Sequence, residues 1–147
     1  QKKVEEASGI DTAHLIFYEA AFESAYRYME NSRDVYKVSG RDLLQQYLDS
    51  LSVRGWGEFE IMQLVEEKGE ARVQLNHSAI SEEYGRVGRS VCHIWPGALA
   101  GSIKFLAEER NNETQVIGRE TRCLSKGDPY CEIVVKPVDP GQFAANR

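Results

Sequence analysis

The chain has 147 residues, which fits one domain, and a formal net charge of -5 from 18 Lys and Arg against 23 Asp and Glu. The basic residues are scattered and form no run that could follow a phosphate backbone, so we expect no direct nucleic-acid binding by this domain. No stretch approaches the ~20 apolar residues of a membrane span, and no signal peptide is evident, so we expect no membrane span and a cytoplasmic location.

Two helices are predicted at the start of the chain. Apolar residues recur at helical spacing from Thr12 to Glu30, with Asp11 as the N-cap. A second helix begins after Ser39, and its apolar residues continue to Leu51. The first helix carries aromatic residues on more faces than one core can bury, and this is the reason for expecting a homodimer.

Two hairpins with a long helix between them are predicted for the rest of the chain. Residues 58–63 and 71–76 alternate between apolar and polar side chains and indicate the first hairpin. From 91 to 108, apolar residues separated by small ones predict a helix packed closely on a sheet. Residues 114–124 and 132–136 predict the second hairpin. The fold class is therefore α+β, with an antiparallel sheet of two hairpins.

Three cysteines and one glutamate in the second half of the chain have the composition of a four-ligand zinc site. They are Cys92, Glu120, Cys123 and Cys131. The tight turn at Gly127-Asp128-Pro129 brings the last two thiols together at the mouth of a hairpin. On a regular strand Glu120 would project to the opposite face from Cys123, so the site requires a bulge or bend near Thr121 and Arg122.

The same residues also fit an alternative without metal. Cys92 could be a small buried hydrophobe, and Cys123 and Cys131 could be inert or joined in a disulfide. His93 could replace one of the metal ligands. Three sparse cysteines favour metal binding in a reducing compartment over a disulfide framework. Four protein donors would leave no open position, so the metal would be structural.

Aromatic side chains are the basis for expecting an apolar or aromatic ligand, although the same residues could fill a core. The predicted ligand-binding residues are Phe22, Tyr26, Trp56, Phe59, Trp95 and Leu99. The sequence has no Ser-His-Asp motif, no GxGxxG and no P-loop, so it provides no machinery for catalysis.

Two motifs resemble the 4-vinyl reductase domain family, which is similar to the aromatic-sensing domains of bacterial phenol and xylene regulators and, more distantly, to TRAPP subunits. Cys92–Gly101 resembles the family's Cys-x4-Gly-x3-Gly helix start, and Glu120-x2-Cys123-x7-Cys131 resembles its closing zinc hairpin. The resemblance implies a structural zinc on Cys92, Glu120, Cys123 and Cys131. Trp56 resembles a tryptophan that contacts the aromatic ligand in the phenol sensors.

The sequence and the resemblance together predict a zinc-stabilised, sensor-type small-molecule-binding domain over residues 1–137, followed by a flexible tail over 138–147. One alternative is a carrier of a tetrapyrrole precursor, or an accessory protein of a vinyl reductase, which is implied by the family's name. Another is a protein-assembly domain whose groove is filled by a partner chain, as the tethering relatives imply.

Overall fold

The computed structural model describes residues 1–139, and over this range it contains five α-helices and one four-stranded antiparallel sheet. The helices are α1 (Lys2–Ser8), α2 (Ile10–Tyr36), α3 (Gly40–Val53), α4 (Ala79–Tyr84) and α5 (Ile94–Glu109). The strands are β1 (Glu58–Val65), β2 (Glu70–Asn76), β3 (Val116–Arg122) and β4 (Cys131–Pro137). The predicted α+β fold, with two hairpins and a long helix between them, is confirmed.

The four strands lie in the order β1-β2-β4-β3, so the two hairpins join through β2 and β4. Val73 pairs with Ile133 at this junction, and both side chains are fully buried. Because β2 and β4 each pair with a strand on both sides, β1 and β3 are the edges of the sheet. α5 packs on β3 and β4 and is covered in turn by α2.

Glycines allow α2 and α5 to approach each other closely. A Cβ atom built on Gly97 would collide with the carbonyl oxygen of Tyr18, and one built on Gly101 would collide with that of Phe22. The contact leaves α5 without a solvent-facing side, since every residue from Trp95 to Ala107 is buried. The predicted close packing of this helix on a sheet is confirmed on its other side, where a Cβ atom built on Gly118 of β3 would collide with the carbonyl oxygen of Pro96.

The structure extends the predicted helices at the start of the chain. α2 is longer than the predicted range from Thr12 to Glu30, and α1 precedes it across Gly9, whose φ of 85° breaks the helix. α1 contains no buried residue, so it has no apolar periodicity from which it could be predicted. Residues 140–147 of the predicted tail lie outside the described residues. No helix within residues 1–139 is both long and apolar enough to cross a membrane.

Candidate functional site

The structure brings the four predicted metal ligands together. Cys92 lies just before α5, Glu120 lies on β3, Cys123 follows that strand, and Cys131 begins β4. One donor atom from each residue lies within 4.8 Å of the other three, and all three cysteines are buried and unpaired. We call these four residues the Cys3Glu cluster. It can hold a metal ion.

A β-bulge solves the problem of side-chain direction at Glu120. The register of β3 against β4 shifts between Glu120, which pairs with Ile133, and Arg122, which pairs with Glu132. The extra residue, Thr121, turns the strand so that Glu120 and Cys123 face the same cluster. The bend that the spacing requires is therefore present at the predicted place.

Backbone hydrogen bonds shape the turn between the last two cysteines. The Cys123 amide donates to Asp128 Oδ2 at 2.8 Å, and the Leu124 amide donates to Cys131 Sγ at 3.4 Å. Gly127 takes a positive φ of 111°, which a residue with a side chain rarely adopts. The turn therefore holds two of the sulfur donors before any metal binds.

Two serines that are not among the predicted site residues complete the surroundings of the sulfurs. The Ser81 hydroxyl lies 3.4 Å from Cys92 Sγ, 3.7 Å from Cys123 Sγ and 3.5 Å from Cys131 Sγ. The Ser78 hydroxyl lies 3.4 Å from Cys92 Sγ and also accepts the Ser81 amide. Ser78 is the N-cap of α4. A serine at a helix start is the only feature of the sequence that could have drawn attention to these two residues.

The electrostatics of the cluster favour a cation. Glu120 Oε2 accepts the Cys92 amide at 3.0 Å, whereas its Oε1 is buried without a hydrogen-bond partner in the described part of the chain. Burial, together with the adjacent Cys123 thiol, raises the pKa of Glu120 to about 9. The neighbouring Cys123 and Cys131 thiols raise the pKa of Cys92, while Cys123 and Cys92 lower that of Cys131. A bound cation would satisfy the orphaned oxygen and the crowded thiols at once.

The distance between two of the sulfurs fits a tetrahedral metal. Two sulfurs bound at about 2.3 Å on a tetrahedron lie about 3.8 Å apart. The Cys92 and Cys131 sulfurs are 3.9 Å apart. Thiolates with one carboxylate suit zinc better than a hard cation such as magnesium or calcium. His93 is not part of the cluster, because its Nδ1 contacts His14 and its Nε2 contacts Glu5.

An open cleft of about 800 Å³ lies between α2, the start of α5 and the edge strand β3. Its apolar walls are formed by Ile10, Leu15, Phe22, Pro96, Val116 and Ile117. Cys92 and Glu120 form part of its lining, so the cleft and the Cys3Glu cluster share two residues. The cleft is thus next to the cluster, and the start of α5 and β3 contribute to both.

A chain of polar side chains runs from α1 to this cleft. Glu5 Oε2 accepts from Arg89 at 2.8 Å, and its Oε1 lies 2.8 Å from His93 Nε2. His93 Nδ1 lies 3.1 Å from His14 Nδ1, and both histidines line the cleft. Although burial opposes it, hydrogen bonds from Arg89, Tyr84 and His93 lower the pKa of Glu5 to about 2. No motif in the sequence indicates this array, because Glu5 and His14 are far from His93 along the chain.

Three of the predicted ligand-binding residues meet in one aromatic cluster. The Trp95 ring makes edge-to-face contacts with Trp56, at 5.5 Å between centroids, and with Phe59, at 5.1 Å. Trp95 and Phe59 belong to the core, whereas Trp56 is partly exposed. The Trp95 indole N–H is buried and lacks a hydrogen-bond partner among residues 1–139. These three residues are not among those that line the 800 Å³ cleft.

The other three predicted residues lie elsewhere on α2 and α5. Leu99 is fully buried in the core. Phe22 lines the 800 Å³ cleft and also a neighbouring cleft of about 650 Å³, which Tyr26 lines as well. The Tyr26 hydroxyl donates to Glu108, and this hydrogen bond, with burial, raises the pKa of Tyr26 to about 12. The role of all six residues in binding remains a prediction.

Comparisons with known proteins find relatives of low identity. A family described as a domain of unknown function (DUF5943) matches residues 1–62. The uncharacterized protein MJ0150 of Methanocaldococcus jannaschii is 30% identical over 102 residues, which cover 69% of this chain and 55% of that protein. The chain therefore spans just over half the length of this relative.

Three solved structures resemble the chain more completely. The phenol-responsive sensory domain of the transcription activator PoxR, crystallised with phenol, has a TM-score of 0.76 at 18% identity, covering 99% of this chain and 76% of that one. A vinyl-4-reductase family protein from Methanocaldococcus jannaschii has a TM-score of 0.59 at 16% identity, covering 84% and 68%.

The third structure is a trafficking protein particle complex subunit 3 from Naegleria fowleri, covalently bound to palmitic acid. It has a TM-score of 0.61 at 8% identity and covers 94% of this chain and 87% of its own. The chain therefore has the α+β fold of the PoxR sensory domain, the vinyl-4-reductase family protein and the trafficking-complex subunit, as its two motifs predict.

Proposed function

We propose that this chain is a sensor-type domain that binds an apolar or aromatic small molecule in the 800 Å³ cleft, with a structural zinc ion on Cys92, Glu120, Cys123 and Cys131. The observation that carries the proposal is the cleft itself, with its apolar walls and a few polar groups. Small-molecule sites in proteins have this character and volumes of about 300–1,000 Å³. The domain comprises residues 1–137.

The Cys3Glu cluster supports this proposal by its position. Cys92 precedes α5 and Glu120 lies on β3, and both residues line the cleft. Bound zinc would cross-link two of the three walls and so reduce the ordering that ligand binding requires. With four protein donors the ion has no position for a substrate, so we assign it no catalytic role.

One of the comparisons supports a binding role. The PoxR domain, which covers almost the whole chain in the superposition, is described as phenol-responsive and was crystallised with phenol. A ligand acts on such a domain only through a difference in affinity between its conformations. In this chain α2 and β3 face each other across the cleft, and a bound molecule would contact both.

Calorimetric titration with a panel of aromatic and aliphatic hydrocarbons tests the binding proposal. Leu15 is an exposed apolar residue on α2 that lines the cleft, so Leu15→Trp should fill part of it and weaken binding at least tenfold. Val35 is also exposed on α2 and does not line the cleft, so Val35→Trp is the matched control. Absence of saturable binding by every member of the panel would contradict the proposed function.

Two further measurements separate the alternatives. Native mass spectrometry of protein purified without added ligand should show one zinc ion per chain and can detect a copurified small molecule. Titration with a porphyrin, followed by absorbance, tests the carrier alternative that the resemblance implies. Binding of the porphyrin but not of the hydrocarbons would replace the present proposal with that one.

A further inference from the structure

The four members of the Cys3Glu cluster differ in their exposure. Cys92, Cys123 and Cys131 are each at most 1% exposed, whereas Glu120 is the partly exposed member. A metal ion can reach the three sulfurs only through some part of the structure that surrounds them. Two clefts within residues 1–139 lie next to the cluster, and their linings decide which of them can serve as the path.

The cleft on the side of α4 is closed off from the sulfurs. It has a volume of about 560 Å³ and is lined by Ser81 and Leu124 but by none of the four ligands. The Ser81 hydroxyl contacts all three sulfurs and so stands between them and this cleft. The Ser125 hydroxyl donates to the Ser81 carbonyl at 3.2 Å, and the Ser125 carbonyl accepts the amides of Val87 and Gly88 at 2.9 and 3.0 Å. An ion that passed here would have to break this hydrogen-bonded cover.

The 800 Å³ cleft, in contrast, reaches two of the ligands directly, since Cys92 and Glu120 form part of its lining. Glu120 Oε1 has no hydrogen-bond partner in the described part of the chain, so this oxygen can meet an incoming ion without losing a bond. A carboxylate is also a harder donor than a thiolate and holds zinc less strongly, so Glu120 is the ligand that opens first.

The charge of the cleft favours the passage of a cation. Three carboxyl groups line it, from Asp11, Glu19 and Glu120, against one guanidinium, from Arg119. A cleft lined mainly by one sign of charge raises the local concentration of ions of the opposite sign. The same lining residues that form the cleft therefore also attract the metal ion towards Glu120.

From these contacts we propose that metal ions enter and leave the Cys3Glu cluster through the 800 Å³ cleft by way of Glu120, so that a molecule bound in the cleft blocks metal exchange. Glu120 is then a gate as well as a ligand, and occupancy of the cleft regulates how long the domain retains its zinc. This inference rests on the proposed function, because it connects the zinc site and the ligand cleft that the proposed function assigns.

A blocked path has a kinetic signature that a damaged site does not have. An obstruction raises the barrier for entry and for exit by the same amount, so it slows both rates and leaves the equilibrium affinity unchanged. A distorted metal site changes the affinity itself. The test therefore measures two quantities for each protein: the rate of zinc release to an excess of chromophoric chelator, and the zinc affinity by chelator competition at equilibrium.

Tryptophan substitutions narrow the cleft from two of its walls. Leu15 lies on α2 and Ile117 on β3, and both line the cleft without contributing to the cluster. Leu15→Trp and Ile117→Trp should each slow zinc release by about tenfold or more and keep the affinity within about threefold. Arg86→Trp, in the 560 Å³ cleft, and Val35→Trp, which lines neither cleft, are the matched controls and should release zinc at the wild-type rate. Thermal unfolding of each metal-free variant shows that it is folded.

A bound molecule should act in the same way as the substitutions. We expect the wild type, saturated with the hydrocarbon of the calorimetric panel that binds most tightly, to release zinc about tenfold more slowly or less. The same hydrocarbon should have a smaller effect on Leu15→Trp, whose cleft is already partly filled.

The outcomes separate this inference from the function on which it rests. Wild-type release rates in both cleft-filling variants would overturn the inference, and so would slower release from Arg86→Trp, which would place the path at the other cleft. A loss of affinity that accounts for the change in rate would also overturn it, because the effect would then be structural. If no hydrocarbon binds but the cleft-filling variants release zinc slowly, the path is supported and the binding function fails. If the wild type binds no zinc, the metal site of the proposed function and the inference both fail.

Discussion

Replacement of Glu120 by glutamine should have opposite effects on the metal-free and the metal-bound protein. In the metal-free protein the folded-state pKa of Glu120 is about 9, against an ordinary value of 4.5 for a glutamate side chain. The folded protein then binds the proton more tightly than the unfolded chain does, so the stability of the metal-free form falls as the pH rises from about 4.5 to about 9. Below that window the carboxyl is protonated in both states, and no penalty remains.

The size of the effect follows from the same shift. At pH 7 the penalty corresponds to the interval from 4.5 to 7, which at about 1.4 kcal/mol per unit gives about 3 kcal/mol. Glu120→Gln should recover this free energy in the metal-free protein and raise its melting temperature by roughly 6–12 °C for a domain of this size. With zinc present the order should reverse, because the variant lacks one ligand and each tenfold loss of affinity removes about 1.4 kcal/mol of stabilisation.

Thermal unfolding at pH 7 in reducing buffer, with either excess chelator or excess zinc, measures both effects. Glu19 lines the same cleft but is exposed on α2, so Glu19→Gln is the control and should change neither melting temperature by more than about 1 °C. The gain for Glu120→Gln in chelator should disappear near pH 4.5. A metal-free variant that is less stable than the metal-free wild type at pH 7 would refute the reasoning.

Three further predictions concern other parts of the molecule. Ser81→Ala should weaken zinc binding by about 10–100-fold in a chelator competition, because the hydroxyl contacts all three sulfurs, and unchanged affinity would mean that it does not support the metal ligands. Gly97→Ala should lower the free energy of unfolding, measured in urea, by about 1–3 kcal/mol, because the added methyl group collides with the Tyr18 carbonyl. A change below about 0.5 kcal/mol would count against tight packing of α2 on α5. Ile16 is exposed on α2, so if this helix forms the predicted homodimer, Ile16→Glu should shift sedimentation towards the monomer, and a monomeric wild type at all concentrations would contradict the dimer.

The features that the sequence predicted are those encoded by local spacing. The alternation of residues 58–63 and 71–76 predicts the first hairpin, and the small residues after Trp95 predict a helix that packs closely. Strand geometry alone required a bulge between Glu120 and Cys123, and the register shift is there. The Cys3Glu cluster could be predicted for the same reason, since three of its four members lie in one hairpin.

The features that it did not predict depend on contacts between distant segments. Glu5, His14 and His93 come from three different elements, and no spacing along the chain indicates that they touch. The roles of the aromatic residues could not be predicted from the sequence for the same reason. Helical or strand periodicity places Phe59 and Trp95 inside, but whether inward rings fill a core or line a cleft depends on how the elements pack.

The position of β4 within the sheet has a consequence for how the molecule assembles during synthesis. β4 follows the other three strands in the chain, yet it lies between β2 and β3. As the chain leaves the ribosome, the β1-β2 hairpin can form early, whereas β3 has no strand to pair with until Cys131–Pro137 emerges. The arrival of this one segment joins the two halves of the sheet and delivers the third sulfur, so the sheet and the metal site are completed in the same late step.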